Sequence, residues 1–303
     1  MNIKFLKNNG PLLIIIAAVL WAFDGVIRRY LYVLPPITII FLEHLIGLII
    51  LTPFAWHIIK KEKLSRKDFY ILIIVAFLSG LLGTLWFTTA LLRVHFISFS
   101  VVFLLQKLQP IFAITSASIL LKEKMDKRYI KWAVLALFSA YFVTFPNGYV
   151  NLATGSATVI AALYALGAAF AWGTSTTFSK MVLSSVSNIT TTFYRFLFTS
   201  IMALGAMMLF GYGASLGTVT FKDIVLFITI AVSTGMVALV IYYKGLAKTP
   251  VHVSTILELT FPFIAIIIDM TIYHTVLLPS QYLAAIVLTF SIYQISKLKW
   301  SSH

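Results

Sequence analysis

Leu104-Leu105-Gln106-Lys107-Leu108-Gln109-Pro110 returns half a chain later as Ile256-Leu257-Glu258-Leu259-Thr260-Phe261-Pro262. The offset is 152 residues (258 − 106), and it sets Gln106 against Glu258 and Pro110 against Pro262. A second pair keeps nearly the same register. Leu20-Trp21-Ala22-Phe23 returns as Ala171-Trp172-Gly173-Thr174, an offset of 151 (172 − 21), at which Glu43-His44 meets Tyr194-Arg195. Both offsets are half of the 303 residues, so the two matches together mark an internal duplication.

Outward from these motifs the chain is apolar. Sixty per cent of it is hydrophobic and 11% is charged, where a soluble globular chain carries about 25% charge. A soluble core cannot hide that much apolar side chain. A bilayer-spanning helix needs about 20 mostly apolar residues. Ten stretches qualify, near 11–30, 36–58, 69–91, 97–121, 129–146, 157–179, 189–211, 222–243, 251–273 and 279–296. The runs are continuous and do not alternate, which excludes a strand barrel. The basic start and apolar run at 1–30 resemble a signal peptide, but the run is long and holds Trp21 and Asp24, so it reads as a retained first span.

The charge distribution orients the spans. The net charge is +14, carried in short loops between apolar runs. Of the 23 Lys and Arg, 17 fall at the two termini and in the loops near 60–67, 122–131, 180–188 and 244–250. Arg28, Arg29, Arg93 and Lys222 take the other side, and Lys107 and Arg195 fall inside spans. This bias expects both termini in the cytoplasm and a multi-pass protein of the inner cell membrane. No basic-aromatic groove suggests nucleic acid. The absence of cysteine excludes disulfides and thiolate metal sites, and no histidine spacing of metal-ligand type occurs. No metal and no cofactor is expected.

Five spans per half is an odd number, so the second half must insert upside down relative to the first. The expected fold is an all-α membrane protein: ten transmembrane helices in two inverted five-helix repeats around a central cavity. The repeats are expected at 1–147 and 157–303, joined by an uncharged, turn-rich linker at 148–156.

Each half resembles one EamA-type repeat of the drug/metabolite transporter superfamily. The first half carries it in Trp21-Ala22-Phe23, TALLRV (89–94) and LLQKLQPIFAITSASILLKEKM (104–125). The second carries it in AFAWGTSTTFSK (169–180), FYRF (193–196) and YYKGLAKTPVHVSTILELTFPFIAIII (242–268). The family's aromatic-Arg on the second span is Tyr194-Arg195 in one half and Glu43-His44 in the other. The corner Glu is Glu123 in the first half and Thr275 in the second, and Asp269 is an extra acid in the ninth span. The resemblance implies transport of metabolites, often export of amino acids.

An ionisable group at mid-bilayer needs a partner or a wet cavity. Glu43, His44 and Arg195 are expected to converge on the cavity, with a structural Glu43–Arg195 ion pair as the alternative. Gln106, Lys107 and Gln109 precede Pro110 and Glu258 precedes Pro262, and a proline frees the carbonyl one turn before it. Trp21 and Trp172 lie inside their spans and suit the walls of a site for amphipathic solutes. Asp24 either faces the cavity or pairs with Arg28 at i+4. The expected substrate-binding set is Trp21, Asp24, Glu43, His44, Gln106, Lys107, Trp172, Tyr194, Arg195 and Glu258. Tyr242-Tyr243-Lys244 reads as the membrane edge of the eighth span, and His252 as a loop residue. Ala157, Ala161, Ala165, Ala169, Gly173 and Thr177 form a small-residue seam along the sixth.

No Walker loop, HExxH or nucleophile elbow occurs. The expected function is therefore secondary transport of a small metabolite, an amino acid or similar amphipathic solute, outward, by alternating access. The partners are the lipid bilayer, the substrate and a coupling proton or other ion, with the protein a monomer or homodimer. A flippase for a lipid-linked substrate is the nearer alternative. An integral membrane enzyme using Glu43 and His44, or a structural subunit, is the farther one.

Overall fold

A computed structural model describes residues 9–93, 108–149, 156–272 and 278–298. Its helices make ten spans. In the first half they are α1 (Gly10–Arg28), α2 (Pro36–Lys61), α3 with α4 (Arg66–Val75 and Thr84–Arg93), α5 (Gln109–Leu120) and α6 (Lys127–Thr144). In the second they are α7 (Ser156–Val182), α8 (Asn188–Leu209), α9 with α10 (Phe221–Val232 and Met236–Leu246), α11 with α12 (Val251–Leu257 and Thr260–Ile272) and α13 (Pro279–Lys297). The starts follow ordinary capping chemistry: Ser65, Asp126, Ser187 and Thr220 each accept a backbone N–H from the first turn.

The packing repeats itself when the halves are exchanged. Span one packs on span eight as span six packs on span three, and span one on span nine as span six on span four. Spans two and seven pack on each other, as do four and nine, and five and ten. The protein is thus a ten-helix membrane protein of two inverted repeats. Spans five and ten stand to one side, joined by Trp132 on Phe290 and by Gln281 Nε2 donating to the Val143 carbonyl at 3.0 Å. Large apolar side chains point outward, including Phe138, Leu163 and Ile286, each more than 60% exposed. Lipid is the solvent that suits such a surface.

The basic loops meet at one end. Glu62 accepts the Ser187 N–H at 3.2 Å, and Lys180 donates to the Leu246 and Ala247 carbonyls at 2.8 and 2.9 Å. The small-residue seam of α7 is a close contact. A Cβ on Gly173 would lie 2.7 Å from the Gln109 carbonyl oxygen, and Thr177 meets Ser116 at 2.7 Å.

Three spans are interrupted near mid-depth. Between α3 and α4, residues Ala76–Gly83 wind with the wider π-helical turn. Between α9 and α10 the helix breaks, and Gly235 N–H reaches back to the Ile230 carbonyl at 2.7 Å. These are the third spans of their halves. Between α11 and α12, Pro262 cannot donate to the Glu258 carbonyl, which Phe261 N–H takes instead at 2.9 Å.

Candidate functional site

The three interruptions border one cavity of about 350 Å³ between the halves. Ser79 and Thr84 come from span three, Thr234 and Gly235 from span eight, and Glu258 and Leu259 from span nine. The size is within the range of about 300–1,000 Å³ usual for small-molecule sites.

Three polar clusters line it. In the first, Arg28 donates from Nε to Asp24 at 2.6 Å and from Nη1 to Glu43 at 2.9 Å, and Asp24 also accepts from Thr234 at 2.7 Å. One guanidinium therefore holds two carboxylates, and the Thr234 bond ties span one to span eight of the other half. In the second, Glu258 accepts from the Tyr242 hydroxyl at 2.6 Å and from Gln109 Nε2 at 3.2 Å. In the third, Arg195 Nη1 donates to the Tyr243 hydroxyl at 2.8 Å, and Ser179 stands 3.2 Å from the same hydroxyl. His44 Nδ1 lies 2.9 Å from the Ile40 carbonyl. A carbonyl only accepts, so that nitrogen carries the proton.

Aromatic rings fill the intervals. Trp21 packs on Tyr242 with centroids 5.0 Å apart, Trp172 on Phe87 at 5.2 Å, and His44 on Phe196 at 4.8 Å. The Trp172 indole N–H donates at 3.2 Å to the Ser79 carbonyl in the π-helical stretch, which fixes the ring. Among the described residues, Arg195 Nε and Thr255 Oγ1 on the lining have no hydrogen-bond partner.

Trp21, Asp24, Glu43, His44, Trp172, Arg195 and Glu258 from the expected set are brought together. Tyr194 is not among the lining residues. It packs instead on Phe193 and Phe198, because neighbours on a helix point about 100° apart and Arg195 takes the inward direction. Gln106 and Lys107 lie outside the described residues, as do His95, His274, Thr275 and the side chain of Asp269.

Several expectations are corrected. The alternative pair Glu43–Arg195 does not form: Arg28 holds Glu43, while Arg195 turns to Tyr243. Asp24 combines its two readings, since it pairs with Arg28 and lines the cavity. Tyr242 and Tyr243 are not a membrane-edge belt. They are buried on the cavity wall, because span eight continues to Leu246 and sets them one turn deeper. His252 is in helix α11, buried at 3% exposure, and not in a loop. Arg28, counted among loop charges, and Gln109, read at the span-four kink but not in the expected set, are also lining residues.

At the basic-loop end, Glu123 caps α11. Its carboxylate accepts the Val251 and His252 N–H groups at 2.9 and 3.2 Å and His252 Nδ1 at 2.5 Å. Burial pushes this carboxyl up, but the bonds from His252 and Val251 outweigh it and leave it below the usual carboxylate range.

Comparison with known proteins places this geometry. The model of the EamA-like transporter family matches residues 8–145 and again 159–297. A protein named riboflavin transporter ImpX, from Fusobacterium nucleatum subsp. nucleatum, is 39% identical over 294 residues, covering 96% of this chain and 98% of that one. A solved crystal structure, 14% identical, superposes with a TM-score of 0.78 over 97% of this chain and 100% of the other. That last likeness concerns the fold alone.

Proposed function

Because the chain belongs to the EamA-like transporter family, we propose that it carries riboflavin, or a close flavin, through the cavity between its halves. The observation that carries this reading is the 39% identity, along almost the whole of both chains, to a protein named a riboflavin transporter.

The cavity chemistry supports it. A flavin is a flat fused-ring heterocycle bearing carbonyls and ring nitrogens, with a polyol tail. Indole and phenol faces stack on such a ring, and Trp21, Trp172, Phe87 and Tyr242 offer them from both halves. Arg195 Nε is a donor without a partner among the described residues, and a buried donor left unmade costs about 1–3 kcal/mol. A flavin carbonyl would satisfy it. The hydroxyls of the tail suit Gln109 and Thr255, which can each donate or accept.

An amino-acid cargo is the competing reading: a zwitterion asks for one open acid and one open base, and with Asp24 and Glu43 held by Arg28 that leaves Glu258 and Arg195 among the described residues. The transport mode we propose is alternating access without nucleotide hydrolysis, the interrupted third and ninth spans giving way as the halves rock. The location is the inner cell membrane with both termini in the cytoplasm, on the loop-charge argument.

Riboflavin added to the purified protein should lose fluorescence saturably as its ring stacks on indole, and should raise the melting temperature. Arg195→Gln should weaken this about tenfold or more. If riboflavin leaves both signals unchanged while an amino acid shifts the melting curve, the flavin reading is wrong.

A further inference from the structure

We infer that Glu258 is the proton-carrying group of this transporter, taking up and releasing one proton in each transport cycle, while Glu43 stays ionised throughout. The inference rests on the transport reading above and not on the identity of the cargo.

The two cavity glutamates differ in what faces them. Glu43 is paired with Arg28 at 2.9 Å. A guanidinium has only donors and keeps its charge, so a protonated Glu43 would set an O–H against N–H groups. Glu258 is held by Tyr242 at 2.6 Å and Gln109 at 3.2 Å, both neutral. Among the described residues no cation reaches it. Enclosed in the bundle without a counter-charge, a carboxylate is costly to keep ionised.

Its partners can also serve the protonated form. Against a carboxylate, the Tyr242 hydroxyl and the Gln109 amide donate. Against a carboxylic acid, the Gln109 amide rotates to present its oxygen, or the Tyr242 oxygen accepts. Either way the acid's O–H meets an acceptor on the wall. The step is a single balanced transfer. The carboxylate takes a proton from water on the side to which the cavity is open, an O–H bond forms, and the same bond breaks to water after the halves rock.

The other charged groups on the wall are engaged elsewhere. Arg28 is shared by Asp24 and Glu43, Arg195 donates to Tyr243, and the His44 ring is bonded to the Ile40 carbonyl. In the described residues, spans four and six bring Gln109 and hydroxyl groups to the lining, and no charge.

Position supplies the coupling. Gln109 belongs to the first half, and Glu258 and Tyr242 to the second, so the pair is a bond between the halves. It sits where span nine breaks before Pro262. A hydrogen bond to an ionised acceptor is stronger than one to a neutral acid. Protonation therefore loosens the link between halves at the place where the helix is already interrupted.

Two measurements test this. In infrared difference spectra of purified protein, a carboxylic-acid stretching band should grow in the wild type as the pH is lowered. It should persist in Glu43→Gln and vanish in Glu258→Gln. A wild type without such a band, or one that survives Glu258→Gln, overturns the assignment whatever the cargo is. In proteoliposomes, an imposed pH gradient should drive riboflavin accumulation that a protonophore abolishes. Glu258→Gln should lose at least ten-fold of that accumulation while keeping the wild-type circular-dichroism spectrum and insertion into the vesicles, which shows that it is folded. Accumulation in Glu258→Gln equal to wild type overturns the inference. Absence of any riboflavin flux in the wild type defeats the flavin reading alone, since the infrared result decides the proton site independently.

Discussion

At the scale of single residues, Arg28 does the most to hold the site. It is 13% exposed and carries two acids that are 20% and 10% exposed. Removing one member of a buried ion pair costs about 3–5 kcal/mol, chiefly from the charge left behind. Arg28→Gln should therefore lower the melting temperature sharply, and Arg28→Gln with Glu43→Gln should recover part of the loss. Thermal melts of the three proteins in one detergent check this, and an unchanged melt in the single variant would contradict the network. Charge in the wrong medium made Glu43, His44 and Arg195 legible from sequence. Their partners were not legible. Glu43 and Arg28 are separated by a turn between spans, and which way Arg28 folds back depends on the packing of span one against spans two and eight. Tyr194 failed for a similar reason: the repeat offset aligned it with Glu43, but the offset does not carry the helical phase.

At the scale of elements, the seam on α7 makes a direct claim. A methyl at Gly173 would lie 2.7 Å from the Gln109 oxygen, 2.9 Å from Phe112 Cβ and 3.0 Å from the Ala113 nitrogen, two of them backbone atoms that cannot swing away. Gly173→Ala should cost about 1–3 kcal/mol. Gly205→Ala, with nothing within 4 Å of the added carbon, should leave the melt unchanged or raise it. Equal melts for the two would contradict the seam.

The cap on α11 makes a pH-dependent claim. The Glu123 carboxyl is held below its ordinary value of 4.5. Its contribution is complete above that unfolded value and is lost as pH falls below it through the depressed folded value. The gap in melting temperature between wild type and Glu123→Gln should thus be present at neutral pH and close as the solution is acidified further. A gap that is constant with pH would contradict the cap. The seam could be read from i+4 spacing and the span-nine kink from Pro262. The breaks in spans three and eight were not read from sequence, although Ser79-Gly80 and Ser233-Thr234-Gly235 carry the small and glycine residues at which helices kink.

At the scale of the whole molecule, the duplication was the most legible feature. Two short motifs half a chain apart implied five spans per half, and an odd count forces inversion. The packing follows, with the contacts of spans one and six, two and seven, and three and eight matched between the halves. What the duplication could not give is the difference between the halves. Arg28, Glu43 and Asp24 form a charged cluster on the first-half wall, where the second half offers Arg195 with Tyr243. That asymmetry follows from individual substitutions on a shared backbone.

The central claim is that this cavity passes riboflavin between the two faces of a membrane. Counterflow in proteoliposomes tests it most directly: vesicles loaded with unlabelled riboflavin are diluted into labelled riboflavin with no ion gradient. The account predicts a transient, saturable accumulation of label that Arg195→Gln cuts about tenfold or more. Correctly inserted protein that gives no accumulation above protein-free vesicles would contradict it.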